Sequence, residues 1–435
     1  MKKSTLDATD ENIWNSIRNN TFNKNADICN FIGLLERLEG NVYISLDADW
    51  GAGKTFFVRQ VEEVLKFCNK CSFDQESVSS LPSYKYLSPF LKTENIQLTK
   101  SYLPVYYNAW LYDSHPDPLL SLISIIVKSC TGVFETKLDS VSLKSRIASL
   151  SQAISPLIKK TSLAFAAATT GALFSSSPID ILDSIQTEEE IRECIKKIFD
   201  EAISEHADKM VVFIDELDRC RPTFAVEMLE RIKHYFSDDR IIFVVSTNKE
   251  QLSHTIKRHY GDEFDSTRYL NKFFDLNIGL PEIKYPLPYP SDNQYWLTSI
   301  TNELLSYYNL PLRDILIVLD KISSISHLAV YDSVNYGYRI YSLFTPIIII
   351  LGIQDIQKQK YFLSGKSNIL VELFENIELL QNFAKDFDLS NNRDVKKGIE
   401  ELKNAYLYIF SSKKPSNYSN PLSIPSDAKE KLMSI

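Results

Sequence analysis

The segment that most restricts the fold of this chain is a glycine-containing loop between a predicted strand and a predicted helix. Residues 42–46 are apolar and typical of a buried strand, whereas residues 56–67 carry apolar side chains at helical spacing. The loop between them ends in Gly-Ala-Gly-Lys-Thr at positions 51–55. Strand, glycine loop and helix in this order are the usual scaffold of a phosphate-binding loop, in which backbone N–H groups at a helix start bind an anion.

The residue types in this loop suit that chemistry. The usual signature is Gly, four residues, Gly-Lys and then Ser or Thr, and here Ala48 stands where the first glycine is normally found. Gly51 and Gly53 let the backbone approach phosphates closely. Lys54 would contact the outer phosphates, and Thr55 would place its hydroxyl on Mg²⁺. The predicted nucleotide-binding residues are Asp49, Trp50, Gly51, Ala52, Gly53, Lys54, Thr55 and Phe56.

A second polar signature follows another predicted strand. Residues 210–214 form an apolar run, typical of a strand buried on both faces, that ends in Asp215 and Glu216. At the carboxyl end of a parallel strand, Asp215 would bind the Mg²⁺ ion and Glu216 would act as the base that polarises the attacking water. The alternative is an acidic pair that caps the next helix. The upstream phosphate loop favours the hydrolytic interpretation.

Asp218 and Arg219 come directly after the acidic pair. Three roles stay open for them: they stabilise the edge of the nucleotide site, bind a neighbouring subunit, or pair with each other.

Strands and helices alternate through the first two thirds of the chain. The predicted strands are 42–46, 103–107, 210–214, 241–246 and 274–279. This order indicates an α/β fold with a parallel sheet covered by helices on both faces, a three-layer arrangement. The spacing of apolar residues over 12–39 predicts one helical segment. In residues 72–100 the apolar residues have no clear period, so we expect a segment that extends over the surface.

Beyond Pro281 the patterns become mostly helical, and residues 285–290 are typical of a linker. We therefore predict an N-terminal segment (1–24), a nucleotide-binding core (25–284) with insertions near 72–100 and 135–186, and a helical lid and C-terminal domain (285–435). Residues 347–351 are the most apolar run of the chain. They predict a buried helix, with a docking surface as the alternative.

Composition narrows the functional classes. The net charge of −8 argues against a general nucleic-acid coat protein, although a local basic patch stays open. The six cysteines are scattered and no secretory leader is recognised, so we expect reduced thiols in a cytoplasmic protein. Cys68 and Cys71 form an isolated pair, without the second pair of a zinc finger.

Four stretches together resemble the KAP family of P-loop NTPases. Asp215 begins the sequence Asp-Glu-Leu-Asp-Arg-Cys-x-Pro, which is similar to the acidic signature of that family. The tryptophan-bearing loop at Trp50, the Tyr-Asn-Ala-Trp segment ending at Trp110, and the region from Tyr269 to Pro281 resemble its other motifs in the same order. The resemblance covers roughly residues 25–320.

The resemblance implies an ATPase sheet of the extra-strand, catalytic-glutamate type, with the strand at Val105 as the extra strand between the two motifs. It also implies Mg²⁺ and ATP as ligands. Asn248, at the tip of the strand after the acidic one, would contact the terminal phosphate or its water, and Arg313 would be a lid arginine that reports nucleotide state. Arg268 and Lys272 are candidates for a basic residue that acts in trans.

Many members of the family carry transmembrane helices between the two nucleotide motifs. Residues 161–179 of this chain are free of charge, but Ser, Thr, Ala and Gly dominate them. The loop at Lys54 and the acid at Asp215 must meet at one magnesium ion, so the chain between them must cross a bilayer an even number of times. The other apolar stretch between them, residues 119–127, is only nine residues long. We therefore interpret residues 161–179 as a helical hairpin or interface and expect no membrane span.

Three functions follow from these observations. The first is an ATP hydrolase that switches or drives an associated protein effector, with self-association; the family resemblance places it in prokaryotic antiviral defence. The second is a nucleotide-binding assembly platform with little or no turnover, which the Ala48 substitution keeps open. The third is a membrane-associated organiser that depends on residues 161–179. A kinase is disfavoured, because Glu216 beside Asp215 favours water as the nucleophile.

Overall fold

The computed structural model describes the chain in several stretches. The described residues are 7–73, 78–94, 96, 98–133, 189, 192–193, 195–197, 199–200, 203, 207–283, 295–325, 336–390, 392–411 and 419–433. They form two compact units. The first comprises Met1–Asn20 with Lys24–Glu282, and the second comprises Thr21–Asn23 with Ile283–Ile435.

The first unit contains a parallel sheet between two layers of helices. Its elements in chain order are α1 (Asp10–Arg18), α2 (Asn25–Arg37), β1 (Val42–Asp47), α3 (Lys54–Phe73), α4 (Tyr84–Glu94), β2 (Tyr102–Asn108), α5 (Pro118–Val133), β3 (Lys209–Asp215), α6 (Pro222–Tyr235), β4 (Ile241–Thr247), α7 (Lys249–Tyr260), α8 (Ser266–Phe273) and β5 (Leu276–Gly279). The α/β fold predicted from the alternating patterns is confirmed.

Side chains of the strands alternate between the two faces of the sheet, as the pleat requires. On one face Val105, Val212 and Phe243 join a core that α5 to α8 cover. On the other face Phe213 and Val244 join a core that α1 to α4 cover. All seven residues of β3 and of β4 are buried, which accounts for the unbroken apolar runs of these strands.

The strand order is β2-β3-β4-β1-β5 with every pairing parallel. The strands of the two motifs, β1 and β3, are thus separated by one strand, as the resemblance implied. The strand that lies between β1 and β3 is β4, however. The prediction that the strand at Val105 occupies this place in the sheet was therefore wrong. Val105 lies in β2 at the sheet edge, because a strand between two motifs along the chain need not lie between them in space.

Two segments before β2 differ from the predictions. The helix predicted for 12–39 is broken between α1 and α2, where Asn20, Phe22 and Asn23 have positive φ angles. Phe22 is buried among the apolar residues of the second unit. The segment 72–100 is more than a surface excursion, since α4 packs against α1 and buries Leu87 and Phe90 at helical spacing.

All the regular secondary structure among the described residues of the second unit is helical. Its elements are α9 (Tyr295–Tyr308), α10 (Leu312–Ile325), α11 (Tyr336–Gln354), α12 (Ile356–Leu363), α13 (Ile369–Asn376), α14 (Glu378–Lys385), α15 (Val395–Phe410) and α16 (Ala428–Met433). The apolar run 347–351 lies in α11 and is buried by the unit itself, which confirms the buried helix rather than a docking surface. Among the described residues, no helix has the length and apolar character needed to cross a bilayer.

Gly398 marks a close approach of α15 to α14 in this second unit. A Cβ atom at Gly398 would lie 1.8 Å from the carbonyl oxygen of Ala384. Gly398→Ala is therefore expected to lower the free energy of unfolding by about 1–3 kcal/mol, as overpacked interiors do. Gly33→Ala is the matched control, because α2 leaves open space there and the helix gains about 0.5–1 kcal/mol. Urea unfolding followed by circular dichroism measures both, and equal stability of the two variants would contradict the prediction.

Several predictions concern residues outside those described: the insertion near 135–186, the segment 161–179 and the linker 285–290. In the segment 187–206, which precedes β3, the described residues are helical. Ile195, Phe199 and Ile203 are spaced by one helical turn and are buried in the core that α5 to α8 cover.

Candidate functional site

The phosphate loop connects the carboxyl end of β1 to the amino end of α3. Gly51 and Gly53 adopt φ angles of 83° and 96°, which only glycine adopts readily. The end of β1 is fixed by Asp47, whose carboxylate accepts a hydrogen bond from the backbone N–H of Lys249 (2.8 Å) and whose carbonyl accepts one from Leu280 (2.9 Å). The loop thus starts from a fixed strand end and leads into a helix whose first N–H groups are available to an anion.

Lys54 is the first residue of α3, and its side chain is buried against the loop. Its ammonium group donates hydrogen bonds to the backbone carbonyls of Ala48 and Asp49 (3.1 Å for Asp49). Burial lowers the pKa of Lys54, and the carboxylates of Asp218 and Asp215 oppose that shift. The lysine of the first motif therefore lies within electrostatic reach of the acidic residues of the second.

Asp215 ends β3, and its side chain is almost completely buried, with 1% exposed. One carboxylate oxygen accepts a hydrogen bond from the hydroxyl of Tyr106 and the other from the backbone N–H of Glu216, both at 3.0 Å. Burial and the neighbouring carboxylate raise the pKa of Tyr106, so its phenol keeps its proton and remains a donor.

Glu216 has a left-handed backbone (φ 60°), which is uncommon for a residue with a side chain and is concentrated at functional sites. Its carboxylate is held at both oxygens. The side-chain amide of Asn108 donates to one oxygen (3.0 Å), and the guanidinium of Arg219 pairs with the other (3.0 Å). Asn108 ends β2 directly opposite Asp215 in the sheet register.

The segment after Glu216 joins the edge of the phosphate loop. The indole N–H of Trp50 donates to the carboxylate of Asp218, and the guanidinium of Arg219 lies 5.6 Å from the ring centre of Trp110. Both tryptophans are exposed. Asp218 therefore contacts the phosphate loop, and Arg219 contacts Glu216 and Trp110. Of the three roles that the sequence left open, these contacts correspond to the one at the edge of the nucleotide site.

Asn248 follows β4 and is buried. Its side-chain oxygen accepts from the backbone N–H of Gln251 (3.0 Å) and caps α7, while its amide donates to the carboxylate of Asp49 (3.2 Å). The tip of β4 is therefore connected directly to the phosphate loop, and Asn248, Lys54 and Asp215 lie along one edge of the sheet.

The remaining predicted residues have less specific surroundings. Ala52, Thr55 and Phe56 are partly buried in the loop and first turn of α3. Arg268 and Lys272 are exposed on α8. Arg313 is the exposed second residue of α10 in the second unit.

The KAP family P-loop domain matches residues 27–284, which is more than half of the chain. The chain belongs to the KAP family. Among solved structures, that of the Aeropyrum pernix ORC2 protein in its ADPNP–ADP complexes is similar at 12% sequence identity, with a TM-score of 0.33, over 91% of this chain and 82% of that one. No curated protein matches the sequence significantly.

The donor atoms of this KAP domain fit a magnesium ion. The hydroxyl of Thr55 and the carboxylate of Asp215 would offer oxygen atoms, which a hard cation such as Mg²⁺ prefers. Magnesium is commonly bound through one or two protein groups together with substrate phosphates. No disulfide joins the described cysteines Cys29, Cys68, Cys71 and Cys220. Burial raises the pKa of Cys68 to about 12, which leaves it an unreactive thiol.

Two residues of the KAP domain's site had no role predicted from sequence. Asn108 belonged to a recognised motif, but its contact with Glu216 depends on the pairing of β2 with β3. The sequence predicted Tyr106 only as an apolar residue of the strand 103–107. The available signal was the period of two along β2, which places Tyr106 on the same face as Asn108, the last residue of that strand.

Proposed function

We propose that this KAP protein is a Mg²⁺-dependent ATP hydrolase whose cycle acts as a switch or motor for an associated protein effector. The observation that carries the proposal is the meeting of the phosphate loop and the acidic segment at the carboxyl edge of one parallel sheet, where Trp50 bonds to Asp218 and Lys54 lies near Asp215. That edge is where ligands of open α/β sheets bind. Prokaryotic antiviral defence is our proposed setting, and it rests on the family resemblance alone.

In the proposed reaction the loop N–H groups and the ammonium of Lys54 hold the phosphates, which positions the outer phosphate for in-line attack. Glu216 accepts the proton of the attacking water, and Asn248 contacts the terminal phosphate or that water. Thr55 and Asp215 would hold Mg²⁺, and this ion would neutralise the charge of the phosphates when bound. The proposal further includes Arg313 as a reporter of nucleotide state and Arg268 or Lys272 as a basic residue contributed to a neighbouring copy.

A second function is an assembly platform that binds nucleotide without turnover. Ala48 at the first glycine position supports it, since this is the one departure from the loop signature. A membrane-associated form of this platform would depend on residues 161–179. Phosphate release by the purified protein, with and without Mg²⁺, separates hydrolase from platform, and flotation with lipid vesicles tests membrane association. ATP binding without Mg²⁺-dependent phosphate release would favour the platform.

Asn108 is expected to orient the catalytic carboxylate in the hydrolase. Its side-chain oxygen also caps the turn Ala109–Tyr112 by accepting from the backbone N–H of Leu111 (3.2 Å). Asn108→Ser keeps a capping oxygen but removes the amide that donates to Glu216. Loss of one hydrogen bond to a charged group corresponds to about a tenfold lower kcat, with KM little changed.

Steady-state phosphate release at several ATP concentrations measures this effect. Asn41→Ser is the control, because Asn41 lies at the amino ends of the strands, away from the site. Its side-chain amide donates to the carbonyls of Asp238 and Ile241. A kcat of Asn108→Ser equal to that of Asn41→Ser would show that the amide does not orient Glu216.

A further inference from the structure

Tyr106 reaches Asp215 from the neighbouring strand. In the β2–β3 register Tyr106 is paired with Phe213 and Asn108 with Asp215, so Tyr106 and Asp215 are diagonal neighbours on one face of the sheet. A long aromatic side chain can reach across such a diagonal between neighbouring strands. The tyrosine hydroxyl accordingly donates to Asp215 at 3.0 Å.

This contact restricts the orientation of the Asp215 carboxylate. Its second oxygen is already held by the backbone N–H of Glu216 at 3.0 Å. Two donors from different directions fix both the rotation and the tilt of a buried carboxylate. Partners of this kind around a metal ligand commonly contribute 10- to 100-fold to metal affinity.

The ring of Tyr106 is itself held by Arg59 of α3. The guanidinium carbon of Arg59 lies 4.8 Å from the ring centre, a cation–π contact. Arg59 pairs with Glu62 in the same helix and with Asp10 of α1 (2.8 Å). Asp10 precedes residue 27, where the match to the family domain begins. A contact chain therefore runs from the N-terminal helix to the acidic residue at the end of β3.

We propose that Tyr106 is a positioning residue that orients Asp215 toward Mg²⁺, and that Arg59 and Asp10 hold the Tyr106 ring in place. The proposal rests on the proposed function only in taking Asp215 as a ligand of Mg²⁺. It requires no turnover, because orientation of a ligand affects metal binding before any chemistry.

Tyr106→Phe tests this role, because it removes the hydroxyl and keeps the ring over Arg59. Mn²⁺ prefers the same oxygen ligands as Mg²⁺, and its free form is measured directly by electron paramagnetic resonance. With a non-hydrolysable ATP analogue bound, we expect the Kd for Mn²⁺ to rise about tenfold or more in the variant. Binding of the analogue in EDTA should stay unchanged.

Tyr107→Phe is the matched control. Tyr107 is the next residue of β2, points to the opposite face, and bonds through its hydroxyl to Ser121 at 2.7 Å. The Tyr107→Phe variant therefore loses a buried tyrosine hydrogen bond that does not involve Asp215. Equal Mn²⁺ affinity of Tyr106→Phe and Tyr107→Phe, with normal binding by the wild type, would overturn the inference and leave the proposed function intact. Absence of nucleotide-dependent Mn²⁺ binding in the wild type would overturn the metal site and this inference together.

Arg59→Met tests the second half of the proposal. Methionine keeps the length of the side chain but removes the cation over the ring. We expect the Kd for Mn²⁺ to rise about twofold to fivefold in this variant, and Tyr106→Phe/Arg59→Met to bind Mn²⁺ as Tyr106→Phe does, since Arg59 acts through the hydroxyl. Fully additive effects would overturn the role of Arg59.

Discussion

Glu216→Gln is expected to bind ATP about as tightly as the wild type and to release phosphate at least about a hundredfold more slowly. The carboxamide has the shape of the carboxylate, and its oxygen can still accept from the amide of Asn108. It cannot accept a proton from water, however, and loss of a general base typically lowers the rate by about 10²- to 10⁴-fold. Phosphate release under single-turnover conditions and binding of a fluorescent ATP analogue measure the two quantities.

The exposed glutamate Glu230 provides the control for this variant. Its carboxylate accepts from the hydroxyl of Tyr260 (2.6 Å), so Glu230→Gln makes the same chemical change at a hydrogen-bonded glutamate of α6. We expect it to hydrolyse ATP as the wild type does. Equal rates for the wild type and Glu216→Gln would show that Glu216 is not the base. A stable ATP-bound form of Glu216→Gln would also serve to copurify the proposed effector.

Lys54→Ala is expected to weaken ATP binding by about 10- to 100-fold or more. Lys54 is buried in the loop, where its ammonium group would contact the outer phosphates. Hydrogen bonds to charged groups contribute about 1.5–3 kcal/mol each, and 1.4 kcal/mol corresponds to a tenfold change in Kd. Isothermal titration with ATP and Mg²⁺ measures the loss.

The same titration of Lys70→Ala with ATP is the control. It separates the loss of a phosphate contact from the general effect of removing a lysine from α3. Lys70 lies in the last turn of α3, the same helix that Lys54 begins. Its removal should leave ATP affinity unchanged. Thermal unfolding of the two variants without nucleotide shows whether the fold is retained, and ATP affinity in Lys54→Ala close to that of Lys70→Ala would rule out a phosphate-binding role for Lys54.

The two predictions address different steps, and together they separate the proposed functions. A hydrolase requires that Lys54→Ala loses binding and that Glu216→Gln loses turnover alone. A nucleotide-binding platform would lose binding in Lys54→Ala, but its phosphate release would already be negligible in the wild type. The effect of Tyr106→Phe on Mn²⁺ affinity is expected in both cases, because it concerns the bound state.

Much of the first unit followed from local patterns. The apolar runs of β3 and β4 predicted buried strands because parallel strands covered on both faces need apolar residues at every position. Helix α7 has local signals at both ends, since Asn248 caps its start and Gly261 follows its end. The segment containing α4 was misread because Pro89 and several polar residues obscured the spacing of Leu87 and Phe90.

The phosphate loop, the acidic pair and the family were determined by the sequence itself. These features are short and contiguous, so their residue types and spacing carry the chemistry. The tertiary structure alone decided that Tyr106 bonds to Asp215, Asn108 to Glu216, and Asn248 to Asp49. The members of each pair lie 109, 108 and 199 positions apart along the chain. Such contacts depend on strand order and register, which are set by the packing of the whole sheet and leave no local pattern at either residue.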